Sequence, residues 1–286
     1  MEELSVSRRR YAELIRRRAN LRSERLVSAL ADIPREKYLG PGPWRILRPA
    51  NLTTYEDTPD ANPAHIYDDV LVALDPTRVL NNGLPSSLCA WIDLLDLQEG
   101  DSVVHAGCGT GYYSAVMAHV VGEEGRVTAI EFDRELAARA KSCLAELRCV
   151  EVVSGDASIY DTGEADAIFI NAGATHPLPL WLDNLKPGGR LLFPLTHELG
   201  SMAPLRFGVM MRVRRLTIGY EADAISPVGI FPCFGAIDAQ ADRLVEKLLA
   251  EGGFARVRSL RRDAHVADET CALHGRGYCF ATSCPP

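Results

Sequence analysis

The first part of the chain carries two helical patterns and then a long polar segment. Apolar positions at 11–15 form one helix face, and a second face runs over 26–33 behind Ser23, a residue type that suits an N-cap. Pro34 ends the second helix. Residues 40–66 are rich in Pro, Gly, Asn and Asp and show little periodicity, so we expect a long loop there.

A different pattern begins near residue 84, where short apolar strands alternate with helices. An amphipathic helix over 88–95 comes first, closed by Gly100. The later pattern predicts strands at 103–106, 126–131, 150–153, 166–170 and 189–194, and helices at 112–121, 133–147 and 180–185. Strands separated by helices of this length are typical of βαβ units and a mostly parallel sheet.

The C-terminal part departs from this alternation. Strands at 206–214 and 216–223 follow each other without a helix, which predicts an antiparallel pair. A last helix follows Asp238, and strands near 255–261 and 277–282 end the chain. The predicted fold is therefore α/β: a Rossmann-like, doubly wound, mostly parallel sheet with an antiparallel edge, preceded by an N-terminal helical segment.

Charge excludes one class of function. The 286 residues carry a net charge of −7, which argues against general nucleic-acid binding. Residues 1–25 hold eight arginines and four glutamates, so this segment is +4 and the remainder −11. We interpret it as a solvated helix whose arginine stems lie on the fold, the alternative being an anionic partner.

The eight cysteines form no CxxC pair, and no histidine cluster accompanies them at zinc spacing, so we expect free thiols and no metal site. No segment approaches the roughly 18 apolar residues of a membrane span, and the N-terminus shows no secretory apolar region. We therefore expect a cytoplasmic protein without a membrane partner.

The segment VVHAGCGTGYY, residues 103–113, places Gly107, Gly109 and Gly111 between a predicted strand and a predicted helix. The dinucleotide fingerprint GxGxxG would need its third glycine at Tyr112, and no Lys-Ser or Lys-Thr pair marks a P-loop. The GxGxG spacing fits S-adenosylmethionine (SAM), whose carboxylate suits the N-terminal end of the helix. The alternative is a tight strand-to-helix turn with no ligand.

Two further strand ends carry groups that suit the same ligand. Glu131 ends the next strand, where a carboxylate can accept hydrogen bonds from both ribose hydroxyls. Asp156 and Ala157 follow the third strand, where a carboxylate and a backbone N–H can bond adenine. Taken singly, an exposed strand-end glutamate and an ordinary Gly-Asp turn are the simpler interpretations. Three consecutive strand ends of this kind favour SAM.

The motifs resemble the class I SAM-dependent methyltransferases and, more narrowly, the protein-L-isoaspartate O-methyltransferase family. The resemblance runs from about residue 26 to 194. It is carried by VVHAGCGTGYYSAVMAHVVGEEGRVTAIEFDRELAARA, VEVVSGDA, ADAIFINAGA and LPLWLDNLKPGGRLLFPL, and upstream by LVSALADIPREKYL and TYEDTP. It implies methyl transfer from SAM to the carboxylate of an L-isoaspartyl residue in damaged peptides.

Site residues follow from the motifs position by position. The expected cofactor-binding residues are His105, Gly107, Cys108, Gly109, Gly111, Tyr112, Glu131, Phe132, Asp156, Ala157 and Asn171. The expected catalytic residues are Asn171, from the motifs, and Asn82 and Ser86, from the loop before the helix at 88–95. The simpler interpretations are a turn residue at Asn171, a turn at Asn82-Gly83 and a helix cap at Ser86. A carboxylate acceptor is already ionised at neutral pH, its free pKa being about 4, so no general base is expected. The acids Asp68 and Asp69 are expected to be exposed.

Two positions depart from the family pattern. His105 stands where the family has a glutamate that supports the methionine amine. VLNNGLPSS, residues 79–87, replaces the family's Gly-Gln-Thr-Ile-Ser-x-Pro, so the serine and threonine that meet the acceptor carboxylate are absent from their places. The acceptor is thus a carboxylate of a peptide, a protein or a small molecule.

Two other functions stay open beside this one. A methyltransferase acting on tRNA can carry similar motifs, although the acidic balance counts against it. A SAM-binding protein without activity would use the altered loop as a contact surface. For all three functions the predicted domain division is the same. Residues 1–80 contain the N-terminal helices and the substrate-side loop, and residues 81–286 form the SAM-binding domain with its C-terminal antiparallel strands.

Overall fold

The computed structural model describes residues 2–200 and 204–285. Seven α-helices lie in this part of the chain: α1 (Glu2–Ala19), α2 (Glu24–Asp32), α3 (Pro85–Leu94), α4 (Tyr112–Val121), α5 (Arg134–Leu144), α6 (Pro179–Asp183) and α7 (Ala239–Ala250).

Fourteen strands accompany them in the described residues. They are β1 (Arg45–Arg48), β2 (Asn51–Asp57), β3 (Leu71–Asp75), β4 (Leu80–Asn81), β5 (Ser102–Ala106), β6 (Arg126–Glu131), β7 (Val150–Ser154), β8 (Ala165–Ile170), β9 (Leu185–Glu198), β10 (Arg206–Arg215), β11 (Tyr220–Ile230), β12 (Ser259–Arg261), β13 (Cys271–Gly275) and β14 (Tyr278–Ala281).

The chain forms two compact units. Unit 1 comprises Met1–Asp101 and Cys108–Ser154, and unit 2 comprises Ser102–Gly107 and Gly155–Pro286. The division at residue 80 drawn from the sequence stays a prediction.

Unit 1 contains helices α1 to α5, the parallel strand pair β6 and β7, and a four-stranded sheet in the order β2-β1-β3-β4. All pairings in the four-stranded sheet are antiparallel. The expectation of a loop over residues 40–66 is therefore wrong. Strand β2 is largely exposed, so its sequence NLTTYED has no buried face and lacks the alternation by which strands are recognised.

A buried arginine organises the end of the region that precedes β3. Arg35 is fully buried and donates to the carbonyl oxygens of Ile66 at 2.7 Å, Asp68 at 3.1 Å and Val70 at 2.8 Å. Burying a guanidinium is costly unless its donors are paired; three carbonyl oxygens pair Nη1 and Nη2, while the buried Nε finds no partner among the described residues. Arg35 therefore holds residues 66–70 in a defined path.

Unit 2 contains one continuous run of strands in the order β13-β14-β12-β11-β10-β9-β8-β5. Strands β5, β8 and β9 are parallel to one another, and every later pairing is antiparallel. The predicted class, α/β with a parallel sheet and an antiparallel edge, is confirmed. Three details differ: β9 is longer than expected, β11 begins and ends later than the predicted 216–223, and β13 was not predicted.

Local signals at the helix ends are confirmed. Ser23 caps α2 by accepting from the Leu26 N–H, and Asp133 and Asp238 cap α5 and α7. Each side-chain oxygen satisfies a donor that has no intrahelical partner.

The arginines of the first segment pair with acids of the same unit. Arg18 contacts Asp69 at 3.2 Å, Arg22 contacts Asp93 at 3.3 Å, and Arg25 contacts Glu99 at 2.8 Å. This agrees with the interpretation of arginine side chains that lie on the fold.

All eight cysteines are free thiols, as expected. Among the described helices, none combines the length and the apolar character needed to cross a bilayer.

Candidate functional site

The three glycines of the loop have positive φ angles, but they face different neighbours. A β-carbon on Gly107 would lie 2.8 Å from the Asn171 carbonyl oxygen, and one on Gly111 would lie 2.6 Å from Leu144. At Gly109 the nearest atom would be Leu74 Cδ1 at 3.8 Å. A β-carbon on Gly107 or Gly111 would collide with the fold, whereas one on Gly109 would make only an ordinary contact with Leu74, so Gly109 is the glycine that a ligand would approach.

Glu131 at the end of β6 holds this loop by its backbone. Its carboxylate accepts the Gly109 N–H at 2.7 Å and the Asp133 N–H at 3.0 Å, one on each oxygen. The side chain is only 8% exposed. Burial raises the pKa of Glu131, and the backbone donors oppose that rise. A carboxylate has about four acceptor positions, so capacity remains for ligand hydroxyls.

The residues that follow Glu131 present one apolar and one charged group. Phe132 is 59% exposed, which is unusual for a large apolar side chain. Asp133 accepts from Arg78 at 2.6 Å, and this contact holds the pKa of Asp133 below its usual range. The exposed ring beside a strand-end carboxylate offers an aromatic face to a ligand, and its expected role in cofactor binding stays a prediction.

Two expected contact residues turn their side chains into the core of unit 1. Cys108 is buried, and Tyr112 packs edge-on against Tyr38 and Tyr113 with ring centroids 5.6 and 5.0 Å apart. Only their backbone groups remain candidates for ligand contact. Helix α4 begins at Tyr112 and carries no side-chain cap at Gly111, so main-chain N–H groups define its N-terminus.

Thr110, between two of the glycines, was missed by the sequence analysis. Its Oγ1 is buried and finds no hydrogen-bond partner among the described residues. A hydroxyl left in that state is costly unless a ligand or water pairs with it. The available signal was its position inside the GxGxG motif.

The predicted acceptor residues lie around the turn between β4 and α3. The Asn82 N–H donates to the Val72 carbonyl at 2.9 Å, while its Nδ2 is buried without a partner in the described chain. The neighbouring Asn81 side chain is already engaged, because its Oδ1 accepts the Tyr55 hydroxyl at 2.7 Å. Of these two asparagines, Asn82 is therefore the one whose side-chain N–H groups are available to a ligand.

Ser86 lies in the first turn of α3, held by an acid that was expected to be exposed. The Ser86 N–H donates to Asp69 Oδ1 at 2.9 Å, and Asp69 Oδ2 contacts Arg18. Asp69 is 3% exposed, so the expectation of surface exposure was wrong for it. Its carboxylate supplies the cap that Leu84 lacks at the start of α3.

In unit 2, His105 and Asn171 lie at the ends of neighbouring strands. His105 is fully buried and stacks on Phe169 with ring centroids 5.3 Å apart. Burial lowers the pKa of His105 to about 3, so the imidazole is neutral. Asn171 donates its N–H to the Ala106 carbonyl at 2.8 Å and its Nδ2 to the Gly107 carbonyl at 3.3 Å.

The turn at Asp156 and Ala157 is fixed by its own neighbours. Asp156 Oδ1 accepts the Ser158 N–H at 2.8 Å, and the Ala157 carbonyl accepts from Trp181 Nε1 at 3.0 Å. Gly235 packs on this turn, since a β-carbon there would lie 2.8 Å from Asp156 Oδ2. No sequence signal pointed to Trp181 or Gly235. The expected adenine contacts stay predictions.

A glycine loop with GxGxG spacing ahead of a helix, and a carboxylate at the end of the following strand, are typical of the SAM-dependent methyltransferase class. The sequence model for "Protein-L-isoaspartate(D-aspartate) O-methyltransferase" matches residues 9–206. The chain belongs to this family, and the resemblance drawn from its motifs is confirmed.

Curated relatives agree. Protein-L-isoaspartate O-methyltransferase 2 of Archaeoglobus fulgidus is 33% identical over 66% of this chain and 78% of its own length. The Methanothrix thermoacetophila protein-L-isoaspartate O-methyltransferase is 34% identical over 65% of this chain and 80% of its own.

Solved structures share the fold. One protein-L-isoaspartate O-methyltransferase has a TM-score of 0.63 at 21% identity and covers 85% of this chain and 69% of its own. A Plasmodium falciparum protein of the same name, solved with S-adenosyl-L-homocysteine, has a TM-score of 0.59 at 16% identity and covers 79% and 97%. At these identities the likeness shows the fold alone.

The buried neutral His105 predicts a specific loss of stability in acid. Unfolded histidine has a pKa of about 6.5, and the folded pKa is about 3. The unfolded chain therefore binds a proton below about pH 6.5 that the folded protein does not bind until about pH 3, and the folded state is destabilised across that window. The slope is at most about 1.4 kcal/mol per pH unit.

Urea unfolding at pH 7.5 and pH 5 tests this. We expect His105→Gln to lose less stability between the two pH values than the unaltered protein. The matched control is His119→Gln, at a partly exposed position, which should keep the original slope. Equal slopes for all three proteins would contradict the assignment.

Proposed function

We propose that this protein transfers the methyl group of SAM to the carboxylate of an L-isoaspartyl residue in a peptide or protein. Family membership supports the reaction. The observation that carries the proposal is the Glu131 carboxylate, which accepts the Gly109 N–H at 2.7 Å, fixes a loop backbone that carries no side chain, and keeps acceptor capacity. A preorganised carboxylate of this kind suits the two hydroxyls of a ribose.

Within unit 1 the cofactor contacts divide by chemistry. Glu131 takes the ribose hydroxyls, Gly109 lets the ligand approach the backbone, and the N-terminus of α4 faces the carboxylate of the methionine portion. The Thr110 hydroxyl is a further donor at this loop. His105, Gly107, Asp156, Ala157 and Asn171 stay predictions for the remaining contacts.

SAM supplies an electrophilic methyl group on a sulfonium. The work left for the protein is to orient the acceptor and exclude water, because an ionised carboxylate needs no general base. Asn82 Nδ2, buried and unpaired among the described residues, is the donor best suited to hold an acceptor oxygen. Orientation of this type supplies several kcal/mol, up to roughly 7–11 in the best cases.

A different carboxylate acceptor is the second candidate. Asparagines stand at the turn where the family pattern has hydroxyl residues, and Asn81 is committed to Tyr55. This chemistry still selects a carboxylate, on a peptide, a protein or a small molecule. We further propose a cytoplasmic location and no nucleic-acid partner, on the acidic net charge and the free cysteines.

Transfer of radiolabelled methyl groups separates the candidate functions. We expect label on an isoaspartyl peptide as a base-labile methyl ester and none on the matched aspartyl peptide. Label on other carboxylates alone indicates the second acceptor class, and label on RNA indicates a tRNA enzyme. Tight S-adenosylhomocysteine binding without transfer to any acceptor would leave a binding protein and overturn the proposal.

Gly109→Ala tests the cofactor loop. Alanine at a positive φ costs about 1–2 kcal/mol wherever it is placed, so the matched control is Gly100→Ala, with a φ of +84° and open space around it. Both variants should lose similar stability in urea unfolding. By calorimetry, only Gly109→Ala should bind S-adenosylhomocysteine at least tenfold more weakly; equal affinities would remove Gly109 from the site.

Asn82→Ala tests the acceptor side. Losing one hydrogen bond to a charged group costs about 1.5–3 kcal/mol, so kcat/KM for the acceptor should fall about ten- to a hundredfold. Asn82→Asp keeps the size of the side chain but adds a negative charge that repels the acceptor carboxylate, so kcat/KM should fall further. Affinity for S-adenosylhomocysteine should stay unchanged in both, and a loss of that affinity would assign Asn82 to the cofactor instead.

A further inference from the structure

Two cysteines and two histidines meet at the C-terminal hairpin of unit 2. The ligand atoms of His265, Cys271, His274 and Cys279 all lie within 4.8 Å of one another. The four residues lie beyond residues 9–206, which match the family. They take no part in the proposed methyl transfer.

The strand pairing explains why these residues meet. His274 on β13 lies directly opposite Cys279 on β14, so both side chains leave the same face of the hairpin. Cys271 would face the other way from His274 in a regular strand. A register shift between Cys271 and Leu273 inserts one extra residue and pairs Cys271 with Ala281, which restores it to the face of Cys279.

His265 reaches the same face from the segment that precedes β13. Its Nε2 lies 3.5 Å from Cys271 Sγ, and its ring centroid lies 4.7 Å from that of His274. Zinc bonds of about 2.3 Å to sulfur and 2.0–2.1 Å to nitrogen place the ligands of a tetrahedral site about 3.3–3.8 Å apart. The cluster is thus within small side-chain adjustments of that geometry.

One ring nitrogen in the cluster lacks a partner. His274 Nδ1 is buried and finds no hydrogen bond among the described residues. A buried nitrogen in that state costs free energy that a bound ligand removes.

Neighbouring residues orient the side chains of the cluster through hydrogen bonds. His265 Nδ1 lies 2.9 Å from the Asp263 carbonyl oxygen and 3.2 Å from its carboxylate, which leaves Nε2 directed at Cys271. The Asp268 N–H donates to Cys271 Sγ at 3.3 Å. Arg261 pairs with Asp263 at 3.0 Å and lies 3.6 Å from Asp268, which balances the two acids. Carboxylate–histidine pairs and N–H donors to sulfur are typical of the outer shell of metal sites.

We propose that His265, Cys271, His274 and Cys279 bind one Zn²⁺ ion in a tetrahedral, structural site. Two thiolates and two neutral imidazoles favour zinc over the oxygen-seeking cations, and four protein ligands leave no open position for catalysis. The two thiolates neutralise the charge of the ion. Binding releases one proton from each thiol and reduces or oxidises nothing. The ion joins the loop between β12 and β13 to the hairpin.

The linear sequence does not reveal this cluster. Its spacing is H-x5-C-x2-H-x4-C, without a CxxC pair, and the sequence analysis therefore found no histidine cluster at zinc spacing and expected no metal. That expectation missed the juxtaposition, because the bulge and the strand pairing bring the residues together.

Metal content and cobalt spectroscopy of the full-length protein test the site. Elemental analysis of protein purified without added chelator should give close to one zinc per chain. After chelation, titration with Co²⁺ alone should give thiolate-to-cobalt charge-transfer and strong d–d bands that saturate at one equivalent. Cys279→Ser and His274→Ala should lose most of this signal. The control Cys284→Ser, at an exposed cysteine outside the cluster, should keep it.

His265→Ala guards against misfolded variants, because His265 precedes β13 and belongs to neither strand of the hairpin. It should keep the far-ultraviolet circular dichroism spectrum and lower Co²⁺ affinity at least tenfold. Chelation should lower the melting temperature of the unaltered protein but not of the Cys271→Ser variant. Three results would each overturn the proposal: folded protein with no bound metal, cobalt bands that survive both cysteine substitutions, or a Cys271–Cys279 disulfide in place of metal. None of them bears on methyl transfer.

Discussion

The hydrogen bond from the Gly109 N–H to Glu131 is the contact on which the site in unit 1 depends. It satisfies a carboxylate that burial would otherwise make costly, and it fixes a backbone segment that only glycine adopts without strain. The same carboxylate accepts the Asp133 N–H, so the loop and the start of α5 share one anchor. The side-chain-free backbone at Gly109 is therefore held rigidly, which is what preorganised ligand binding requires.

Buried charges perform a similar task on the acceptor side. Arg35 donates to three carbonyl oxygens within residues 66–70. Asp69, in the same stretch, accepts hydrogen bonds from the Ser86 N–H and from Arg18. The position of the turn that carries Asn82 is thus set by paired charges and main-chain groups as well as by apolar packing. Because Asp69 is buried, removing its partner Arg18 would leave a buried carboxylate without its counter-charge, and such networks tolerate change poorly.

Most of the regular elements could be predicted from the sequence, because their apolar periodicity and caps are local signals. The exceptions are β13 and the four strands of the small sheet, β1 to β4. Strand β2 has no buried face, β1 and β4 are very short, and β13 is interrupted by a bulge. At the site, the sequence located the glycine motif and Glu131 but treated the three glycines as alike. Their different roles depend on Asn171, Leu144 and Leu74, residues far away in the chain. The burial of Asp69 likewise depends on a partner 51 positions away.

The zinc site answers a structural problem of unit 2. Strand β13 is an edge strand of its sheet and pairs only with β14, and both strands are short. Short hairpins at the edge of a sheet have marginal stability on their own. The segment between β12 and β13 forms no helix or strand that would hold it in place. A metal with four ligands in three segments of the chain restricts the unfolded state and ties the segment before β13 to the hairpin, as a disulfide would in an oxidising compartment. The cysteine thiols are free. In a reducing compartment, where disulfides do not persist, metal ligation is the cross-link that such thiols can form.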